Sequence, residues 1–294
     1  MDEIDLQILM QLFSNSRMTY RELSEKLSLS VSAIHKRVNS LMDTGIITAF
    51  VARPSLHALK YIYLFIEGQS SAKSLDIICD QLGEHDNVSA AGYAAGNRLY
   101  IICHLRDITD LQELSVFVTK TGQMENPRIG IINFQYQLTP EPLTTMDYKI
   151  IKTLRRDARK PVVDIADETG LSAKTIKKRI DRMTKHQLIR LTVEWNPIYE
   201  NCLVTVFTLH LTGSMNIREQ FRQIYTKYAK NIVVVFSYSN FPDILTMEVI
   251  TSSAFESQKI QQELEADGYE KVTPRIWIWG KYYETWIDNL VKSK

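Results

Sequence analysis

The stretch LSAKTIKKRIDRMTKHQLI, residues 171–189, repeats the design of LSVSAIHKRVNSLMDTGII, residues 29–47, at a constant offset of 142 positions. Both stretches begin with Leu-Ser and then place apolar residues at helical spacing. A Ser before a helical run is a common helix N-cap. The repeat therefore predicts two copies of one short helical unit, of which the second carries far more Lys and Arg.

The repeat is longer than these two stretches and divides the chain into four segments. Residues 4–47 align with residues 146–189 without a gap, are identical at ten positions and keep the same apolar pattern. The segments that separate the copies are rich in β-branched and aromatic residues, and they also correspond, since PRIGIINF at 127–134 matches PRIWIWGK at 274–281. The sequence predicts an α+β protein of the order A–B–A′–B′, with segments 1–54, 55–142, 143–197 and 198–294.

Each A segment has the pattern of a winged helix-turn-helix domain. In the first copy an amphipathic helix is followed by Thr19 and Glu22, which have the spacing of a capping box at the start of a second helix. Pro161 lies near the same point of the second copy, where its missing N–H is harmless. A short break and a third helix follow, and a strand pair after it completes the domain. The predicted buried residues of the third helices are Ile34, Val38 and Leu41 in the first copy and Ile176, Ile180 and Met183 in the second.

The free face of each third helix carries candidate DNA contacts. The helical pattern alone fits a helix that merely packs in a bundle as well as it fits a DNA reader, so the exposed side chains decide. In the first copy they mix donors and acceptors suited to base edges, whereas in the second they are mostly cations suited to phosphates. The candidates are Ser32, His35, Lys36, Asn39 and Ser40, with Arg37 alongside, in the first copy, and Lys174, Thr175, Lys177, Lys178 and Arg182, with Arg179 alongside, in the second.

The distribution of charge also favours nucleic acid. Residues 143–197 contain 13 Lys and Arg against 7 Asp and Glu, a net charge of +6, whereas residues 1–54 contain 6 of each. Residues 55–142 and 198–294 have net charges of −4 and −1. A solvated helix face can be basic for solubility alone, but cations clustered on one candidate recognition helix favour an electrostatic contact with DNA. If about six of them each neutralise a phosphate, the log–log dependence of affinity on salt has a slope of about −5.

In these segments the chain resembles the Lrp/AsnC family, the leucine-responsive/asparagine or feast/famine transcription factors. The likeness in the first copy includes the Leu23-Ser24 and Leu29-Ser30 junctions and Gly45-Ile46-Ile47, and in the second copy Gly170-Leu171-Ser172. It spans nearly the whole chain, as a tandem of two family units. The resemblance implies DNA binding, domains that pair sheet against sheet, and a small effector, often an amino acid, that binds near the sheet interface.

The B segments have the order of a ferredoxin-like domain. Each begins with a dense apolar run, at 61–67 or 203–211, and continues as helix, two strands, helix and closing strand, the order βαββαβ. The closing strands are apolar on both faces, as Ile276 and Ile278 oppose Trp277 and Trp279. One face serves the helices, so the other needs a cover, which we expect to be a second sheet. The sequence leaves open whether that sheet belongs to the same chain, as a pseudo-dimer, or to a second chain.

The resemblance also indicates where an effector would bind. The family's loop between the second and third strands typically reads Gly-x-x-Asp, and both copies depart from it. The first copy keeps Gly96 but has Leu99 in place of the acid. The second keeps Asp243 but has Asn240 in place of the glycine, and Asn tolerates a left-handed turn. We expect any effector site at Gly96, Asn97, Asn240 and Asp243.

Composition and motifs argue against several other classes. The chain has no long uncharged apolar run and an acidic N-terminal stretch, so we expect a cytoplasmic protein without a membrane segment. Cys79, Cys103 and Cys202 are isolated, as reduced and buried cysteines would be, and no phosphate loop or metal motif occurs, so we expect no cofactor, no metal and no enzymatic activity. The alternative is a metabolite-binding protein or a haem-precursor decarboxylase built on the same fold. His104 and His210 would support it, although histidines in apolar strands are more often core residues.

We therefore predict a DNA-binding transcriptional regulator that displays two winged helices on a paired ferredoxin-like scaffold. Two readers related by a two-fold axis match two half-sites about one helical turn apart on double-stranded DNA. Because the two helices differ in charge, we expect the second to supply most of the affinity and the first to supply base discrimination.

Overall fold

The structure is a computed structural model that describes residues 1–133, 142–196, 202–213 and 215–294. The described residues form two compact units, and each unit combines segments from both halves of the chain. The winged-helix unit contains residues 7–61, 142–196 and 284–294, and the β-sheet unit contains residues 1–6, 62–133, 202–213 and 215–283. Within the described ranges, no helix has both the length and the apolar character needed to cross a membrane.

The first winged helix follows the predicted pattern closely. The Thr19 side chain accepts a hydrogen bond from the Glu22 backbone N–H, and the Glu22 carboxylate accepts one from the Thr19 N–H, so the predicted capping box is confirmed. Ser30 caps the third helix through the N–H of Ala33. The elements are α1 (Glu3–Ser14), α2 (Tyr20–Leu27), α3 (Val31–Asp43), β1 (Ile47–Pro54) and the short α4 (Leu56–Leu59).

The first B segment has the predicted βαββαβ order. Its helices cover one face of its sheet, and Cys79 and Cys103 are buried in the core between them. Burial raises the pKa of the Cys79 thiol to about 12, which suits an inert structural cysteine. The elements are β2 (Ile62–Ser70), α5 (Leu75–Leu82), β3 (Val88–Ala94), β4 (Arg98–Leu105), α6 (Leu111–Thr121) and β5 (Met124–Ile131).

In its described residues, the second half of the chain repeats the order of α1–α3, β1, β2, α5, β3, β4, α6 and β5. Ser172 caps the third helix of the second winged helix, as Ser30 does in the first. One further helix follows the closing strand and belongs to the winged-helix unit. The elements are α7 (Thr145–Leu154), α8 (Val162–Thr169), α9 (Ala173–Lys185), β6 (Ile189–Trp195), β7 (Leu203–His210), α10 (Ile217–Lys227), β8 (Ile232–Ser237), β9 (Ile244–Thr251), α11 (Ala254–Ala266), β10 (Lys271–Tyr282) and α12 (Trp286–Ser293).

The two winged helices share one strand pair. β1 and β6 pair with each other antiparallel, with Phe50 opposite Val193, so the expectation of a separate strand pair in each copy is wrong. Each copy supplies a single strand after its third helix, and the backbone groups of a lone strand need a partner. The twin strand provides it, and the two winged-helix copies become one body.

The β-sheet unit is an intrachain pseudo-dimer. Its strands run in the order β5-β2-β4-β3-β10-β7-β9-β8, so the two ferredoxin-like halves join where β3 pairs with β10. At the outer ends of this order Ile132 and Tyr238 form an antiparallel bridge. A core that includes Phe65 and Tyr100 of one half and Val206 and Tyr238 of the other fills the space between the two halves of the sheet. The predicted cover is therefore present, but it is the other half of one continuous eight-stranded sheet of the same chain and not a separate sheet.

The closing strand β10 is less covered than the sequence predicts. Ile276 and Ile278 are 39% and 45% exposed, whereas Trp277 packs in the core between the two halves of the sheet and Trp279 against the helix-side core of the first half. The register shifts between Trp277 and Trp279, where β10 crosses from β7 to β3. This irregularity sends the two tryptophans into different cores. The expectation that both faces of this strand are covered is wrong for the two isoleucines.

Candidate nucleic-acid interface

The third helices α3 and α9 present matching exposed faces. In each helix the three predicted apolar residues are buried. The turn before the helix contains one residue in the left-handed region, Ser28 with φ 54° or Gly170 with φ 70°. These two residues lie at equivalent positions and let the chain reverse within a few residues. The sequence thus builds the same helix-turn-helix geometry twice.

The exposed face of α9 carries four lysines, which lie at its N-terminal, central and C-terminal turns. Among the described residues, none of the four forms an ion pair, so their charges are available to an external anion. Thr175 is half-buried, and its hydroxyl lies 2.9 Å from that of the N-cap residue Ser172. The four lysines, named here the lysine face, are Lys174, Lys177, Lys178 and Lys185.

Two cations that the sequence assigns to DNA binding are instead held by a buried acid. Arg179 donates to Asp147 at 3.0 Å and Arg182 donates to the same carboxylate at 2.6 Å. The Asp147 side chain is 0% exposed, and Thr144 donates to it as well. Arg182 does not lie on the free face as predicted, because its guanidinium pairs with the buried Asp147 carboxylate and its side chain is only 24% exposed. These arginines fasten α9 to α7.

Other basic residues of the second copy are also paired within the winged-helix unit. Arg155 and Arg156 donate to Glu284 at 2.5 and 2.8 Å. Lys160 binds Glu168 at 2.7 Å. The net charge of +6 over residues 143–197 therefore overstates the charge offered to DNA, and the lysine face carries most of what remains on α9.

The exposed face of α3 is polar rather than basic. His35 and Lys36 are exposed, Arg37 and Asn39 are half-buried, and the Ser32 hydroxyl lies 3.1 Å from that of Ser30. The Asn39 amide nitrogen lies 3.5 Å from Nδ1 of His35. The His35 ring also meets the ring of Tyr20 edge-on, with centroids 5.1 Å apart. The face combines donors and acceptors of the kind that address base edges.

A reciprocal pair of arginines joins the two copies. Arg17 donates to the carbonyls of Ala158 and Lys160 at 2.6 and 3.0 Å. Arg159, at the equivalent position, donates to the carbonyls of Ser16 and Met18 at 3.0 and 3.2 Å. Each arginine thus satisfies backbone carbonyls in the helix α1–α2 or α7–α8 connection of the other copy, as a two-fold relation requires. Together with the β1–β6 pair, they hold α3 and α9 in one body.

The four expected effector residues lie at two separate junctions between the halves of the β-sheet unit, one where β3 meets β10 and the other beside β5. Gly96 and Asn97 form the β3–β4 turn, both with positive φ, and the adjacent Ala95 donates to the carbonyl of Ile276 in β10. Asn240 lies beside β5, accepting from the Ile131 N–H at 2.9 Å and donating to the Ile129 carbonyl at 2.8 Å.

These contacts differ from those that the sequence predicts for the second loop, which lies between β8 and β9. Asn240 does not adopt the left-handed conformation expected of a glycine substitute, because its amide binds the edge of β5. Asp243 is exposed, and its backbone carbonyl accepts from Leu211. The two loops occupy equivalent places at these two separate junctions, so the structure does not gather the four residues into one site.

The sequence did not predict the contacts that fix α3 and α9 in place, which are made by Asp147, Arg17, Arg159 and Tyr20. A signal was present for three of them. Arg17 and Arg159 are identical in the repeat, and so are Asp5 and Asp147. The identity of Arg17 and Arg159 corresponds to a contact that both copies make, because each arginine binds backbone carbonyls of the other copy.

These features define a class of protein. Two capped, exposed third helices, each preceded by a tight turn and both held in one body, make a tandem winged helix-turn-helix protein. A sequence model described as winged helix-turn-helix DNA-binding matches residues 1–48, and one described as AsnC-type helix-turn-helix domain matches residues 143–184. The chain belongs to the Lrp/AsnC family of DNA-binding transcriptional regulators, as a tandem of two family units.

Two relatives from Pyrococcus species support this assignment. An HTH-type transcriptional regulator of Pyrococcus furiosus is 32% identical over 117 residues, which are 38% of this chain and 78% of the relative. One of Pyrococcus horikoshii is 30% identical over 138 residues, which are 45% of this chain and 93% of the relative. Each relative therefore corresponds to about one half of the tandem.

A solved structure shares the architecture of the whole chain. The crystal structure of the siroheme decarboxylase NirDL aligns with a TM-score of 0.61 and covers 99% of this chain and 98% of that chain. The two sequences are 12% identical, so the likeness shows the fold alone.

Proposed function

We propose that the protein regulates transcription by binding an asymmetric operator with two unequal readers. The observation that carries this proposal is the difference between α3 and α9. Both helices are capped and exposed in the same way, yet one presents the lysine face and the other presents Ser32, His35, Lys36 and Asn39.

The lysine face is suited to the DNA backbone. Lysine is a compact point charge on a flexible stem, so it binds phosphates without demanding a particular base. Arg179 and Arg182 contribute by fixing the orientation of α9 through Asp147. We propose that α9 supplies most of the affinity, and that this affinity falls steeply as the salt concentration rises.

The face of α3 is suited to base edges. An Asn amide can bind adenine through two hydrogen bonds in the major groove, and hydroxyl and imidazole groups can donate or accept. We propose that α3 reads sequence in one half-site while α9 tolerates many sequences in the other. The half-sites would lie about one helical turn apart, as for other paired readers.

The experiment is a selection of genomic fragments with the purified full-length protein at two salt concentrations. We expect a site in which one half is sharply defined and the other is degenerate, with recovery falling strongly at the higher salt. A palindromic site with two equally defined halves would contradict the asymmetry. Failure of duplex DNA to retain the protein even in dilute buffer would contradict the regulatory function.

We further propose that a small effector, if it acts on this chain, binds at the β3–β4 turn rather than at the β8–β9 loop. The support is that the Asn240 amide is already used by β5, whereas the Asn97 side chain is exposed. A panel of amino acids tested by thermal shift would identify a ligand, and Asn97→Ala should abolish its shift. A shift that Asn97→Ala leaves intact and Asp243→Ala removes would reverse this assignment.

Tetrapyrrole chemistry is the second candidate function, favoured by the whole-chain fold shared with the siroheme decarboxylase. His104 is buried beside the ring of Tyr63 in the first half, and His210 lies at the end of β7 in the second. Addition of siroheme tests this candidate. A new visible absorbance band together with a raised unfolding temperature would support it, and the absence of both would count against it.

A further inference from the structure

A chain of ring and amide contacts runs from the second winged helix to the reading face of the first. The guanidinium of Arg159 lies over the ring of Tyr20 at 4.8 Å from its centroid. Tyr20 is the first residue of α2, and its ring meets His35 edge-on. Nδ1 of His35 in turn lies 3.5 Å from the amide of Asn39. Arg159 is itself fixed by its bonds to the carbonyls of Ser16 and Met18.

The equivalent positions of the second copy cannot form this chain. Val162 replaces Tyr20, Lys177 replaces His35 and Asp181 replaces Asn39. Arg17 faces the second copy as Arg159 faces the first, but it meets no aromatic ring at position 162. The Arg159–Tyr20–His35–Asn39 contact chain therefore belongs to α3, the helix that we assign to base recognition.

We propose that Tyr20 is a positioning residue for sequence recognition, through which Arg159 of the second copy holds His35 and Asn39 of the first in the geometry that reads bases. This inference rests on the proposed function and names the residues that set its specificity. An exposed His or Asn side chain samples several rotamers, and ordering it on the DNA costs entropy. A ring packed against His35 removes part of that cost before binding.

This contact chain affects the discrimination between specific and non-specific DNA, and not the general affinity for DNA. Tyr20 carries no charge, so its removal leaves the phosphate contacts of the lysine face unchanged. Loss of an aromatic contact of this kind is expected to lower the ratio of specific to non-specific affinity by about threefold to tenfold.

The test uses the full chain and a duplex recovered by the selection described above, with a shuffled duplex as the non-specific DNA. Tyr20→Leu should lower the affinity for the selected duplex and leave that for the shuffled duplex unchanged. Tyr20→Phe keeps the ring and should behave as the unmodified protein. Val162→Leu, at the equivalent position of the second copy, is the matched control and should change neither affinity. Tyr20→Met replaces Tyr20→Leu if the latter fails to fold.

A double-mutant cycle separates positioning from a purely structural role. In a His35→Ala background, Tyr20→Leu should have little further effect on the specificity ratio, because the side chain that it orients is gone. Additive losses, or equal losses on both duplexes, would overturn the inference. The function itself would fail differently, since the unmodified protein would then bind neither duplex.

Discussion

Asp147 is the residue around which the second winged helix is organised. Its carboxylate closes the capping box of α7 with Thr144 and also receives Arg179 and Arg182 from α9. Burial alone would raise the pKa of Asp147, but the hydrogen bonds from Thr144 and Arg179 outweigh it, and the pKa lies below its ordinary value. A charge inside a protein is tolerated when it is paired and hydrogen-bonded in this way.

We expect Asp147→Asn to lower the free energy of unfolding by about 3 kcal/mol, because two guanidinium groups lose their shared partner. Since the folded-state pKa is depressed, the stabilisation by Asp147 is present above the ordinary aspartate pKa and is lost as the pH falls below about 4. Denaturant unfolding between pH 3 and pH 7 measures both effects. Asp164→Asn, an exposed acid of α8, is the control and should change stability by less than about 0.5 kcal/mol. Equal losses in the two variants would contradict a special role for Asp147.

The two turn residues Ser28 and Gly170 provide a matched pair at the same scale. Both adopt left-handed backbone angles, but only glycine does so without strain. We expect Ser28→Gly to raise the free energy of unfolding and Gly170→Ser to lower it, each by about 1 kcal/mol. A Cβ atom at Gly170 meets nothing within 4 Å, so the effect there is conformational rather than steric. Changes of the same sign in both variants would refute this reasoning.

At the scale of elements, α3 and α9 share a backbone design and differ in what they display. Lys36 and Lys178 occupy equivalent positions, so the two helices can be compared site by site. If each of the four exposed lysines on α9 neutralises one phosphate, we expect them to contribute about −3.5 to the salt slope. This slope is shallower than the value of about −5 expected from the sequence, because Arg179 and Arg182 bind Asp147.

We expect reversal of charge at Lys177 and Lys178 together, to Glu, to reduce DNA affinity far more than Lys36→Glu. The double variant should also lower the magnitude of the salt slope by about 2 or more, against about 1 for the single variant. Fluorescence anisotropy of a labelled duplex over a range of salt concentrations gives both quantities. If Lys36→Glu costs as much as the double variant, the two readers are not unequal.

The helix α12 is bound to the winged-helix unit by an ionic cluster. Arg53 of β1 binds Glu194 at 2.8 Å and Asp288 of α12 at 3.5 Å. Glu284, just before α12, receives hydrogen bonds from Lys292, Arg155 and Arg156, which lower its pKa to about 2. The buried residues Trp286, Ile287 and Val291 add an apolar contact.

We expect Glu284 to contribute to the fall in the free energy of unfolding at acid pH. Its folded pKa is depressed from 4.5 to about 2, so its stabilisation is present above about pH 4.5 and is lost as the pH falls towards 2. After discounting for solvent screening at this half-exposed site, we expect about 1 kcal/mol. Glu284→Gln should lower stability at pH 7 by that amount and flatten its decline between pH 5 and pH 2. An unchanged pH profile would show that the cluster does not contribute.

At the scale of the whole molecule, the seam between β3 and β10 joins the two halves of the sheet. Trp277 packs there over the backbone of Gly92 and Gly280. A Cβ atom at Gly92 would lie 2.4 Å from the Trp277 ring and 2.5 Å from the Trp279 carbonyl oxygen. Since one of these is a backbone atom and the other belongs to a large ring, neither can move away at low cost.

We expect Gly92→Ala to lower the free energy of unfolding by about 2 kcal/mol through overpacking. Gly213→Ala is the control, because a Cβ atom at that position meets nothing within 4 Å and its φ is not positive. Thermal and denaturant unfolding of the two variants supply the comparison. A Gly92→Ala protein as stable as the control would show that the seam can adjust.

The sequence predicted the elements of this fold well because helix and strand periodicity reports which face of each element is buried. The triplets Ile34, Val38, Leu41 and Ile176, Ile180, Met183 are examples. It did not predict that β1 pairs with β6 or that β3 pairs with β10, because periodicity identifies faces and says nothing of which backbone edges meet. It also could not show that Arg182 meets a buried acid, since the residue type alone does not reveal a partner 35 positions away.

The β1–β6 pair has a consequence for how this protein can change over time. A homodimer displays every substitution twice, so its two readers stay alike and its target stays symmetrical. In this chain a substitution alters only one of the two third helices. The β1–β6 pair joins that helix to the other copy in the same polypeptide. If α3 and α9 read DNA unequally as proposed, the bound protein has two different ends and therefore a defined direction relative to the neighbouring genes.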